Sequence, residues 1–140
     1  MRLFLTSVFV CLFLFLCFQT AQAQDTATAK TGKGKAKIQY GIASFYSNKF
    51  NGRKTANGEI FSQQKFTAAH NSLPLGTYVR VTNLRNKRTV IVKVNDRLHA
   101  RNKRLIDLTK AAAQKLGFIK AGLVRVKIEV LGKKPPSSQN

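Results

Sequence analysis

The chain holds only two cysteines in 140 residues, Cys11 and Cys17, and none after them. Whatever folds beyond residue 17 has no disulfide framework, no thiolate nucleophile and no cysteine-bound metal. Acids are also scarce. Asp25, Glu59, Asp96, Asp107 and Glu129 face 25 lysines and arginines, for a net charge of +20. The two histidines, His70 and His99, form no cluster with these acids at metal-ligand spacing, so no metal and no cofactor is expected. A glycine-rich phosphate loop ahead of a helix and a serine nucleophile elbow are missing too.

Met1-Arg2 leads into an apolar run from Leu3 to Phe18, then Gln19-Thr20-Ala21-Gln22-Ala23. That pattern is a secretory signal over residues 1–23, with cleavage after Ala23, and the run is short for a membrane span. Export to the periplasm or cell envelope is therefore expected. Lipid anchoring at Cys17 is the lesser option, because bulky Leu14-Phe15-Leu16 stand where a lipoprotein signal has small residues. An exported cation of this strength meets envelope polymers, anionic lipid surfaces or carboxylate-bearing wall glycan, and not nucleic acid.

Residues 24–37 are small, polar and basic, a flexible linker; residues 132–140 are a disordered tail. Between them, 38–131 form one domain of usual size. Alternation predicts strands over Ile38–Ala43, Thr77–Asn83, Val90–Arg97 and Leu123–Leu131, with Asn86-Lys87-Arg88 turning a hairpin. Asp107–Gly117 reads as a short helix with Thr109 as N-cap and Gly117 as its stop. Gly76–Val81 is weakly echoed by Gly122–Val126. Few short strands and one helix predict a small, mainly β barrel, whose closure removes sheet edges.

Val90, Val92 and Val94 share one face of their strand, and Asp96 continues it. A carboxyl group at the end of an apolar stripe is partly withdrawn from water, as suits a general acid. Capping a turn, or pairing with Arg97 or Arg101, is the plainer alternative. Asp25 falls in the linker and Glu129 points outward between Arg125 and Lys127, which leaves Glu59, Asp96 and Asp107. Glu59 follows the tight Thr55-Ala56-Asn57-Gly58 turn. Asp107 precedes the expected N-cap Thr109, and an acid near a helix start is favoured by the dipole. His70 follows the small residues Ala68 and Ala69, and His99 stands in a basic, solvated loop.

Several stretches now combine: Gly41-x-Ala43-Ser44-Phe45-Tyr46, Phe50-x-Gly52-Arg53-x-Thr55-Ala56-Asn57-Gly58-Glu59-x-Phe61 and Thr67-Ala68-Ala69-His70. Leu73-Pro74-x-Gly76-Thr77, Val94-Asn95-Asp96-Arg97 and Ile106-Asp107-Leu108-Thr109 follow in order. Together they resemble the rare lipoprotein A family, septal-ring lytic transglycosylases. Leu98-His99 replaces the family's Gly-Pro, and Lys87 its hairpin glycine. The resemblance implies a six-stranded double-psi β-barrel with one or two short helices. It also implies cleavage of peptidoglycan glycan strands between MurNAc and GlcNAc, by a monomer without cofactors. Carried over by motif, the catalytic residues are Asp96 as the acid/base and Glu59 and His70, which orient or polarise the sugar. Tyr46, Asn57, Arg97 and Asp107 are the substrate-binding groups. The rival class is a non-catalytic, expansin-like polysaccharide-binding module.

Overall fold

Six strands close into a barrel in the computed structural model, which describes residues 36–137. The expected signal segment, Cys17, the linker up to residue 35 and residues 138–140 lie outside the described residues. The strands are β1 (Ile38–Phe45), β2 (Thr67–Ala69), β3 (Tyr78–Asn83), β4 (Thr89–Asp96), β5 (Ile106–Leu108) and β6 (Val124–Gly132). A single-turn 3₁₀ segment spans Asn48–Phe50, and helix α1 spans Lys110–Leu116. Around the barrel the order is β1-β5-β2-β4-β3-β6, with β6 closing antiparallel onto β1. The β1–β5 and β2–β4 pairs are parallel and the others antiparallel.

In β3, β4 and β6 the interior is what the alternation predicts. Val79 and Val81 of β3, Val90, Val92 and Val94 of β4, and Val126 and Ile128 of β6 are buried together. Each such side chain contributes roughly 1.5–3 kcal/mol by leaving water. The Gly76–Val81 and Gly122–Val126 echo marks the approaches to β3 and β6, which pair with each other. Lys87, in the β3–β4 hairpin, has φ 62°, the conformation that a glycine adopts at least cost.

One element differs from expectation. Asp107 and Leu108 are not helical; they belong to β5, and α1 starts only after Thr109. β2 and β5 have three residues each, all buried, so neither carries a period-two signal. The Thr109 hydroxyl does not cap α1 but donates to the Lys65 carbonyl at 2.5 Å.

On β1 the apolar residues Ile38, Tyr40 and Ile42 face solvent, while Ala43 is buried. Gly41 packs against Leu105, and a Cβ there would lie 2.6 Å from the Leu105 Cβ. Gly41→Ala is expected to destabilise the domain by about 1–3 kcal/mol through overpacking. Thermal melts check this, and an unchanged Tm would show that the Leu105 loop yields freely.

Candidate active site

Asp96 ends β4, and a bulge decides where it points. On β2, Ala68 pairs with Val94 but Ala69 pairs with Asp96, so Asn95 has no partner there. A bulge of this kind bends the strand and re-aims the next side chain. Asp96 is only partly buried and lines a cleft of about 450 Å³, shared with Tyr46, Arg97 and Asp107.

Three donors converge on its carboxylate. The Tyr46 hydroxyl donates to Oδ2 at 2.8 Å. The backbone N–H groups of Ala56 and Arg97 donate to Oδ1 at 3.0 and 2.9 Å. Tyr46 is held in turn by its ring, which packs on Phe61 at 4.5 Å and on Phe50 at 5.7 Å between centroids. Burial first, and then the hydrogen bond and charge of Asp96, push the Tyr46 phenol far above its ordinary pKa. Tyr46 thus stays a donor at any physiological pH.

The Ala56 N–H is in place because a neighbouring turn is clamped to β4. Gly58, at φ 88°, closes the turn with its N–H on the Thr55 carbonyl at 2.9 Å. Asn57 Oδ1 accepts from the Thr55 hydroxyl and the Glu59 N–H, and the Asn57 N–H reaches the Asn95 carbonyl. Glu59 then folds down onto β4, paired with Lys93 and accepting from Asn95 Nδ2 at 3.0 Å. The turn points Glu59 at the barrel wall rather than into the cleft.

His70 is buried at 2% exposure. Its Nδ1 accepts the N–H groups of Ser72 and Leu73, each at 3.2 Å, so Nε2 carries the proton and donates to Gln39 Oε1. None of those partners lines the cleft. The His70 backbone meets the site instead: its N–H donates to the Asp96 carbonyl, and its carbonyl accepts from Arg97 Nη1 at 2.6 Å. Burial, helped by the charges of Arg97 and Lys37, lowers the His70 pKa.

Asp107 stands across the cleft in β5, gripped by Arg104 through Nε–Oδ1 at 2.7 Å and Nη2–Oδ2 at 2.9 Å. Among the four described carboxylates, Asp96 alone forms no ion pair; Glu59, Asp107 and Glu129 each have a cation. The structure therefore brings Tyr46, Asp96, Arg97 and Asp107 together. It sets Asn57, Glu59 and His70 behind them, as supports of the loop and strand ends. Sequence reasoning missed Arg104 and the Ala56 N–H. The three-residue spacing of Arg104 and Asp107 was the available signal for the first; nothing in the sequence marks a backbone donor.

Acid should lower the stability of the domain over two successive pH windows. Lys93 first, then Asn95, lower the Glu59 pKa from an ordinary 4.5 to about 2. A depressed carboxyl pKa gives stability present above about 4.5 and lost as pH falls towards 2. For His70 the unfolded chain takes up the proton first, so stability begins to fall below its ordinary pKa of 6.5. Melts from pH 8 to pH 2 check this. Glu59→Gln should abolish the loss in the lower window and leave that in the upper one.

Residues 38–128 match the family model described as lytic transglycolase, and the chain belongs to that family. Among its relatives are proteins named endolytic peptidoglycan transglycosylase RlpA. The one from Haemophilus influenzae is 50% identical over 108 residues, covering 76% of this chain and 38% of that protein. The one from Pseudomonas aeruginosa strain UCBPP-PA14 is 55% identical over 89 residues, covering 64% and 26%. The chain thus spans less than half the length of these relatives. Among solved structures, the Clavibacter michiganensis expansin superposes with a TM-score of 0.58 at 24% identity, covering 71% of this chain and 53% of that one. Streptomyces papain inhibitor does so with 0.56 at 23%, covering 67% and 94%. These two likenesses establish the shared barrel fold.

Proposed function

We propose that the protein is an exported peptidoglycan lytic transglycosylase, with Asp96 as its one proton-transfer group. The observation that carries this reading is the unpaired Asp96 carboxylate, fixed in the cleft by Tyr46, Ala56 and Arg97. Oδ1 spends both lone pairs on backbone N–H groups, whereas Oδ2 accepts only from Tyr46 and keeps one position free. Proton traffic therefore runs through Oδ2. Its proton passes to the GlcNAc O4 as the bond from MurNAc C1 to that oxygen breaks. The carboxylate then takes the proton of the MurNAc 6-hydroxyl while O6 bonds to C1. The product is a 1,6-anhydro ring, and no water is consumed.

Hydrolysis would need a second free carboxyl group about 5–9 Å away to activate water or attack the sugar. The other carboxylate in this cleft, Asp107, is held bidentate by Arg104. Glu59, Asn57 and His70 act as positioning residues: the first two hold the turn that supplies the Ala56 N–H, and the third holds the Asp96 backbone. Export is supported by the Leu3–Phe18 run and the Ala21-Gln22-Ala23 site. The partner is the glycan strand of the wall, which the charge left after cleavage at Ala23, 24 − 5 = +19, helps to attract.

The test is mass spectrometry of purified glycan strands incubated with the protein. Fragments ending in 1,6-anhydro-MurNAc are expected. Reducing-end MurNAc would mean hydrolysis, and binding to sacculi with no fragments would leave a polysaccharide-binding module.

A further inference from the structure

Between β4 and β5 the chain runs Leu98-His99-Ala100-Arg101-Asn102-Lys103-Arg104-Leu105, with no acid between Asp96 and Asp107. This is a built loop. Its ends are tied by the Leu98 N–H to Asn71 Oδ1 at 2.8 Å and by the Leu105 N–H to the Ile42 carbonyl at 2.9 Å. Leu98 is buried, and Leu105 packs against the core over Gly41. Inside the loop, the Asn102 N–H donates to the His99 carbonyl and the Arg104 N–H to Asn102 Oδ1, at 2.8 and 3.0 Å.

This loop frames a shallow depression of about 530 Å³, floored by Ile42 and walled by Arg101, Lys103 and Arg104. His99, Asn102 and Arg104 line both this depression and the Asp96 cleft, so the two adjoin each other. Arg101 and Lys103 have no ion pair among the described residues. Arg104 spends two of its five N–H donors on Asp107 and keeps three. Uncompensated cations on a fixed loop, above an apolar floor that can take the face of a sugar ring, suit a ring carrying an anionic substituent. A guanidinium edge matches the planar shape of a carboxylate.

We propose that this depression is a carboxylate subsite, binding an acidic substituent of the glycan on a sugar beyond the bond that is cut. The proposal rests on the transglycosylase reading for its substrate. Two groups offer the same chemistry there: the lactyl carboxylate of a MurNAc free of peptide, and the carboxylates of an attached peptide stem.

The test compares the exported protein with its Arg101→Gln, Lys103→Gln double variant, both substitutions being in exposed positions outside the proton-transfer site. Binding is measured by calorimetry to GlcNAc–MurNAc oligomers, with and without stems, and to uncharged GlcNAc oligomers of equal length. The wild type is expected to prefer the carboxylated oligomers by roughly tenfold, and the variant to lose that preference while still binding the uncharged ones. Where strands are cut, KM should rise by a similar factor at near-constant kcat. A tighter fit to stem-free or stem-bearing oligomers supports the subsite and assigns its source. Equal wild-type affinity for charged and uncharged oligomers, or an unchanged preference in the variant, overturns it. If the preference is present and lost on substitution, but the wild type releases no anhydro product, the subsite stands and the transglycosylase reading falls.

Discussion

Asp96→Asn is expected to lower the release of 1,6-anhydro-MurNAc fragments by about 10²- to 10⁴-fold, the usual loss when a general acid/base is removed. The substitution keeps the volume of the side chain and most of its bonding. An amide oxygen can still accept from the Ala56 and Arg97 N–H groups, and the Tyr46 hydroxyl can turn to accept from the amide nitrogen. Only the exchangeable proton at Oδ2 is lost. The Tm should therefore stay within a few degrees of wild type, and binding to sacculi should persist. Initial rates of fragment release, measured beside thermal melts, decide the matter. A variant as active as wild type would end the assignment of Asp96.

The second large effect is on stability. His70→Ala is expected to destabilise the domain by about 2–4 kcal/mol, since it opens a cavity and leaves the Ser72 and Leu73 N–H groups without their acceptor. For a domain of this size that corresponds to a Tm lower by roughly 10–25 °C. Activity would fall with it, which by itself resembles a catalytic defect. His70→Asn separates the two, because the amide oxygen can take the place of Nδ1 as acceptor. A positioning role predicts that the asparagine variant recovers most of both Tm and kcat/KM, with an unaltered pH–rate profile. A variant that folds like wild type but is inactive would put the imidazole in the chemistry.

These two residues also mark where reading from the sequence succeeds and where it stops. Val90, Val92 and Val94 announce a buried strand face through their spacing, and so they locate Asp96 at a strand end. Strict alternation would send Asp96 into the interior with them; the bulge at Asn95 turns it to the cleft instead. His70 carries no periodic signal at all, so only the positions of Ser72, Leu73 and Gln39 show that its ring faces away from the cleft.

Period-two burial in β3, β4 and β6 is written in local order, so the sequence announced most of the core, whereas the full set of six strands followed only from the family resemblance. The sequence by itself also determined the family, through motifs spread over nearly the whole folded region, and the short supply of carboxyl groups. The tertiary structure alone decided which carboxylate is free. Lys93 reaches Glu59 from 34 residues away and Tyr46 reaches Asp96 across 50, and no local pattern encodes such pairs. It also decided that Asp107 is a strand residue gripped by Arg104 and not a helix-start acid. Three buried residues in a row fix a short strand only through the neighbours that pair with them.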